Sequence, residues 1–204
     1  MYLKLVLSMF LATAGLPAPL PAQSIEDAIQ AYKLRDFEEA EKHFRGLLNE
    51  EPDRADARAY LALTLVERDK REEAEAELEA AQKLDAESIV VKVAAAELQA
   101  NRDQLELAEQ TITDAVRQSP SNTLALYHRG LILFRRDRYE AAAADFESVI
   151  AKDPADAYPY YYAGLTYSRL KRPDKMVDRY QRFMKMKPDA PEAPRIRALL
   201  RGIG

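Results

Sequence analysis

The segment "EEAEKHFRGLLNEEPD" at residues 38–53 returns 34 residues later as "EEAEAELEAAQKLDAE". It comes back after the same interval as "ELAEQTITDAVRQSPS" and once more as "EAAAADFESVIAKDPA". A fixed period with no insertion restricts the chain to architectures built by stacking one unit. With the first unit at 21–54, the others fall at 55–88, 89–122, 123–156 and 157–190. Position 8 is always small (Ala28, Ala62, Ala96, Gly130, Gly164), and position 20 is Ala40, Ala74, Ala108, Ala142 and then Met176. Position 24 holds Phe44, Leu78, Ile112, Phe146 and Tyr180, and position 27 holds Leu47, Ala81, Ala115, Val149 and Phe183. Position 32 is Pro52, Ala86, Pro120, Pro154 and Pro188.

Each column has a physical reason. Antiparallel helices approach closely only where a small side chain faces the partner backbone, which accounts for positions 8 and 20. The residue at 24 fills the space they leave, and the spacing 20, 24, 27 puts all three on one helical face. Proline at 32 cannot continue a helix and restrains the residue before it, so the chain turns there. A lone helix pair leaves this stripe exposed, whereas stacked pairs bury it. A generic bundle with evenly spaced loops does not explain columns that keep register over five units.

These columns resemble tetratricopeptide repeats over about residues 21–190. The resemblance implies an all-α, right-handed superhelical solenoid of five 34-residue helix–turn–helix units (the array at 23–190), with a capping helix in 191–204. That helix is expected over Pro191–Arg201, capped by Asp189, with Ile196, Leu199 and Leu200 inward and Arg195, Arg197 and Arg201 in water. At the other end, "SIED" places Ser24 as the cap of the first helix. The resemblance also implies protein–protein interaction through a concave groove lined by positions 2, 5, 6, 9, 12 and 13. Carried onto this sequence, the candidate contacts are Tyr60, Tyr127, His128, Leu131, Arg135, Tyr158, Tyr161, Tyr162 and Arg169. The run "YPYYYAGLTY" at 158–167 is the sharpest such signal, since tyrosine joins contact area to a polar tip; Tyr167 at position 11 is expected to pack between units. Lysine, asparagine and arginine that would grip an acidic chaperone tail are missing: Ile25, Ile29, Tyr60, Val90 and Ala94 stand in their places.

Composition narrows the reading further. Absence of cysteine removes disulfide frameworks, thiolate zinc sites, thiol nucleophiles and a lipoprotein anchor. His43 and His128, the two histidines, form no metal pair at helical spacing, and the six glycines make no phosphate-cradling loop. No cofactor and no enzymatic activity are expected. Charge is unevenly placed: residues 1–122 carry 14 basic and 24 acidic side chains, and residues 157–204 carry 11 and 4. The far end is thus a positive surface on an acidic body, suited to an acidic partner or a membrane surface.

"MYLKLVLSMFLATAGLPAPLPAQS" opens the chain with Lys4 followed by the apolar run Leu5–Ala14, short for a membrane span, and then Pro17, Pro19 and Pro21. It reads as a secretory signal over 1–22, cut after Ala22, with a retained anchor as the alternative. The expected setting is a bacterial periplasm or cell envelope, with secretion as the alternative. An exported chain seldom meets nucleic acid, so the expected partner is a protein or peptide. Packing of the array by its ends or convex side into an envelope complex, or onto itself, is the competing arrangement.

Overall fold

The computed structural model describes residues 24–202; the expected signal segment and its cleavage point lie outside the described residues. Eleven α-helices follow one another, with no strand among the described residues. They pair within units as α1 (Ile25–Lys33) with α2 (Phe37–Glu50), α3 (Ala55–Glu67) with α4 (Arg71–Asp85), and α5 (Ile89–Asn101) with α6 (Leu105–Gln118). The last pairs are α7 (Thr123–Arg135) with α8 (Tyr139–Lys152) and α9 (Tyr158–Arg169) with α10 (Pro173–Met186); α11 (Ala193–Arg201) closes the array. The first helix of each unit packs on the first helix of the next, and each second helix packs on the first helix of the following unit. First helices therefore form the inner wall and second helices the outer one, as in a repeat superhelix.

Local chemistry sets the boundaries. Ser24 Oγ accepts the Asp27 N–H at 3.1 Å, the cap expected from "SIED". Helices α2, α6, α8 and α10 stop two residues before a proline, and the residue between is extended: Glu51, Ser119, Asp153 and Lys187 have ψ between 67° and 85°. Where Ala86 replaces proline, that restraint is gone. The α4 helix runs 15 residues instead of 14, and Ala86 itself stays right-handed.

The turn inside every unit passes through the left-handed region at position 15. Arg35, Asp69, Asp103, Asp137 and Lys171 have φ between 54° and 62°, and none is glycine. Aspartate tolerates this conformation, whereas Arg35 and Lys171 carry more strain. No glycine marks these turns in the sequence, so the conformation is set by the helices on either side.

The small–large columns mesh as expected. Positions 8 and 20 are buried in every unit, and Phe44, Ile112 and Phe146 at position 24 are fully buried. A Cβ on Gly130 would lie 2.7 Å from the Phe146 ring, and one on Gly164 would lie 2.7 Å from the Tyr180 ring. Between units the columns interlock as well: Tyr60 stacks on Phe44 at 5.6 Å, and Tyr162 stacks on Phe146 at 5.8 Å.

Charge adds a second register across the first three junctions. Arginine at position 14 of one unit meets glutamate at position 21 of the unit before: Arg68 with Glu41 at 2.6 Å, Arg102 with Glu75 at 2.6 Å, and Arg136 with Glu109. At the fourth junction these positions are Leu170 and Ala143, which join one apolar cluster.

The closing helix differs in detail from expectation. It begins at Ala193, and Asp189 makes no cap; Glu192 holds the N-cap place, without a side-chain hydrogen bond to the helix. Ile196 is buried and Leu200 packs on the core, but Leu199 is 40% exposed at the edge of a cleft.

Candidate functional site

Curvature brings the first unit across the concave face to the fourth and fifth. The Tyr32 hydroxyl lies 3.2 Å from His128 Nε2, and His128 Nδ1 lies 2.9 Å from Glu97. With the carboxylate accepting from Nδ1–H, Nε2 accepts the Tyr32 proton, so one buried chain of hydrogen bonds ties units 1, 4 and 3. Burial works to raise the Glu97 pKa, but the His128 bond and nearby positive charge outweigh it and hold the carboxyl below the usual range. Lys33 Nζ donates to Asp153 at 2.8 Å, and the Arg35 guanidinium sits over the Phe37 and Tyr158 rings at 4.8 and 5.0 Å. No helix of unit 1 packs directly on a helix of unit 4 or 5; these side chains bridge the gap.

Behind this bridge lies a cavity of about 250 Å³. Its walls are mainly aromatic and aliphatic, with Tyr32, Phe37, Tyr60, Tyr127, Tyr158 and Leu124 prominent. Of its four charged lining residues, Lys33, Arg35, Glu67 and Asp156, Arg35 and Glu67 pair with each other at 2.8 Å. Burial opposes the charge on Arg35, yet Glu67 keeps its pKa above the ordinary value. Asp156 has no ion-pair partner among the described residues; one oxygen accepts the Tyr158 N–H at 3.2 Å, and burial pushes its carboxyl up. Burial likewise raises the phenols, with Tyr60 pushed up to about 12 and Tyr127 well above its usual value.

Beyond the bridge, α9 and α11 bound an open cleft of about 560 Å³ lined by Tyr161, Leu165, Ser168, Tyr180, Ile196 and Leu199, among others. The concave face therefore carries an aromatic cavity and, toward the last units, a larger apolar cleft.

The nine residues singled out from sequence divide accordingly. Tyr60, Tyr127 and Tyr158 line the cavity, and Tyr161 lines the cleft. His128 is only 1% exposed and held by Tyr32 and Glu97, so it is a structural tie and not a contact surface, which corrects the expectation for it. Tyr162 is spent on Phe146, Tyr127 and Tyr161, and Leu131 packs into the second core cluster. Arg135 donates to the Ala100 carbonyl at 2.7 Å, and Arg169 is exposed on the last turn of α9. Tyr167 is buried, as expected.

Two family models, each described as tetratricopeptide repeat, match residues 31–89 and 93–157 and together span more than half of the chain. The chain belongs to the tetratricopeptide-repeat family. No curated protein matches it. Among solved structures, a thermophilic TPR protein of Thermus thermophilus is similar with 18% identity and a TM-score of 0.68, covering 85% of this chain and 95% of that one. YrrB, described as a TPR protein with an unusual peptide-binding site, has 21% identity and a TM-score of 0.56 over 85% and 90% of the two chains. Human IFIT1, solved as a dimer with PPP-AAAA, has 22% identity and a TM-score of 0.64 over 80% of this chain; the match spans 42% of IFIT1. These likenesses show the fold. Tetratricopeptide repeats mark a protein–protein interaction scaffold, a class that is typically non-enzymatic.

Within this tetratricopeptide array, sequence reasoning missed the cavity residues supplied by unit 1 and by the loop before α9. Arg35, Phe37 and Asp156 lie outside the family's groove positions, whereas Tyr32 stands at groove position 12 and was passed over. Their signal was faint: an arginine at a turn position and an aspartate after proline at the end of a unit. Only the curvature accumulated over four units brings them together.

Proposed function

We propose that this protein is a scaffold of the bacterial cell envelope that holds a segment of a partner protein on its concave face. The supporting observation is the open cleft between α9 and α11, where Tyr161, Leu165 and Leu199 remain uncovered by the chain's own packing. A helix or extended peptide laying apolar side chains there would extend the buried face of the array. Arg195, exposed and lining the cleft, would orient acidic groups of the segment. The aromatic cavity is the smaller of the two hollows, about 250 Å³ against about 560 Å³ for the cleft. Envelope residence rests on the apolar opening of the sequence.

Leu165→Asp tests the proposal, because this side chain lines the cleft and is only partly buried. Wild type and variant are used side by side to capture proteins from an envelope extract, with melting curves compared. Capture by the wild type that is lost in an equally stable variant supports the cleft. Identical capture by both excludes it as the docking site.

A further inference from the structure

The two parts of the chain use their cations differently. Of the eighteen lysines and arginines between residues 24 and 156, all but Arg71 and Lys152 form ion pairs among the described residues. Of the eleven between 157 and 202, only Arg179 does, with Glu147 and Asp178. Lys175, Arg182 and Lys185 recur at helical spacing along one outer stripe of α10, and all three are exposed. Lys171 and Arg172 extend the stripe past the start of the helix, and α11 adds further exposed arginines beside Leu199.

We infer that this end of the array is a docking surface for an anionic lipid bilayer. Like charges crowded on one surface repel, and no described carboxylate pairs with these five cations to relieve them. A second copy is a poor match, since most acids of units 1–3 already serve cations in their own or neighbouring units. Lys175 lines a hollow of about 360 Å³ with Glu147, Asp174 and Asp178, an acidic lining that does not suit an acidic peptide. A broad array of positive charge suits the flat field of acidic headgroups. The apolar opening of the sequence, read as an export segment or anchor, brings the chain to a membrane. The surface is the α10 stripe with the turn before it, and none of its five cations lines the cleft.

The test is sedimentation of the full chain with phosphatidylcholine vesicles containing about 30 mol % phosphatidylglycerol, compared with phosphatidylcholine alone. The variant joins Lys175→Glu, Arg182→Glu and Lys185→Glu, which break no ion pair but remove the Lys175 contact with the Tyr167 ring; binding is compared at a temperature below both melting transitions. Wild-type protein is expected to pellet only with the anionic vesicles and to be released by salt at about 0.5 M. The triple variant is expected to bind about a hundredfold more weakly. Equal pelleting with both lipids overturns the inference, as does equal binding by wild type and variant, the result expected if the apolar opening segment alone were responsible. Retention on polyglutamate without vesicle binding overturns it in favour of an acidic polypeptide.

Discussion

At the junction of units 1 and 2, Glu41 lies 6% exposed among Arg45, Arg68 and Lys70; at the junction of units 4 and 5, the same position is Ala143, beside Leu170. In place of that charge cluster the later junction has a group of rings, Phe146, Tyr127, Tyr161 and Tyr162, with centroids 5.0 to 6.1 Å apart. Both solutions hold one helix pair against the next. They differ in what they leave outside: the early units pair nearly all of their cations and keep a surplus of carboxylates, whereas the last unit leaves all its cations but Arg179 unpaired. One fold thus supports an acidic body whose cations are paired and a basic end whose cations are not. The difference teaches that a junction built on rings frees charge for other uses.

The comparison breaks most readily at the ring. Phe146→Ala removes a fully buried side chain and is expected to cost about 3–5 kcal/mol by denaturant unfolding, with little dependence on salt. If it unfolds the last unit before the first, a two-step melt will show that the ring junction is the weaker seam. Next in size, Gly130→Ala forces a Cβ against the Phe146 ring and is expected to cost about 1–3 kcal/mol. On the charged side, Glu41→Gln is expected to cost about 1–2 kcal/mol, because its three cations stay partly exposed and can rehydrate. That loss should shrink as salt rises, and a salt-independent loss would show that the charged junctions are held by packing alone. Smaller still, Lys171→Gly is expected to stabilise the last unit by about 1 kcal/mol by relieving the left-handed turn.

The smallest effect concerns Asp156. Its folded pKa is raised, so its ionised form is the one the fold disfavours. The penalty is complete above the folded pKa and absent below the unfolded value of about 3.9. Asp156→Asn should therefore raise the melting temperature at neutral pH by about 1–3 °C, and the gain should vanish by about pH 3. A gain that persists in acid would mean that the carboxyl is not the source.

How far this could be read in advance depended on the distance over which each feature is decided. Positions 8, 20, 24 and 27 were legible because each column is settled by contacts within one unit or with the next. The proline column predicted where second helices stop; the longer α4, where Ala86 stands, came from the structure. The charged register at positions 14 and 21 was also written at the 34-residue interval, in Arg68, Arg102 and Arg136 and in Glu41, Glu75 and Glu109. It became meaningful only once the facing of those positions was known. Tyr162 looked available for a partner because its use by Phe146 belongs to a different unit. His128 was misjudged for a longer-range reason: its partner Tyr32 lies 96 residues away and is brought to it by curvature.

That curvature is the central claim, and nuclear Overhauser spectroscopy tests it directly. A cross-peak between the rings of Tyr32 and His128 is expected, alongside one between the rings of Tyr127 and His128, whose centroids are 5.4 Å apart in the same helix. The local peak present with the long-range one missing would contradict the account, leaving an open array whose first unit never reaches the fourth.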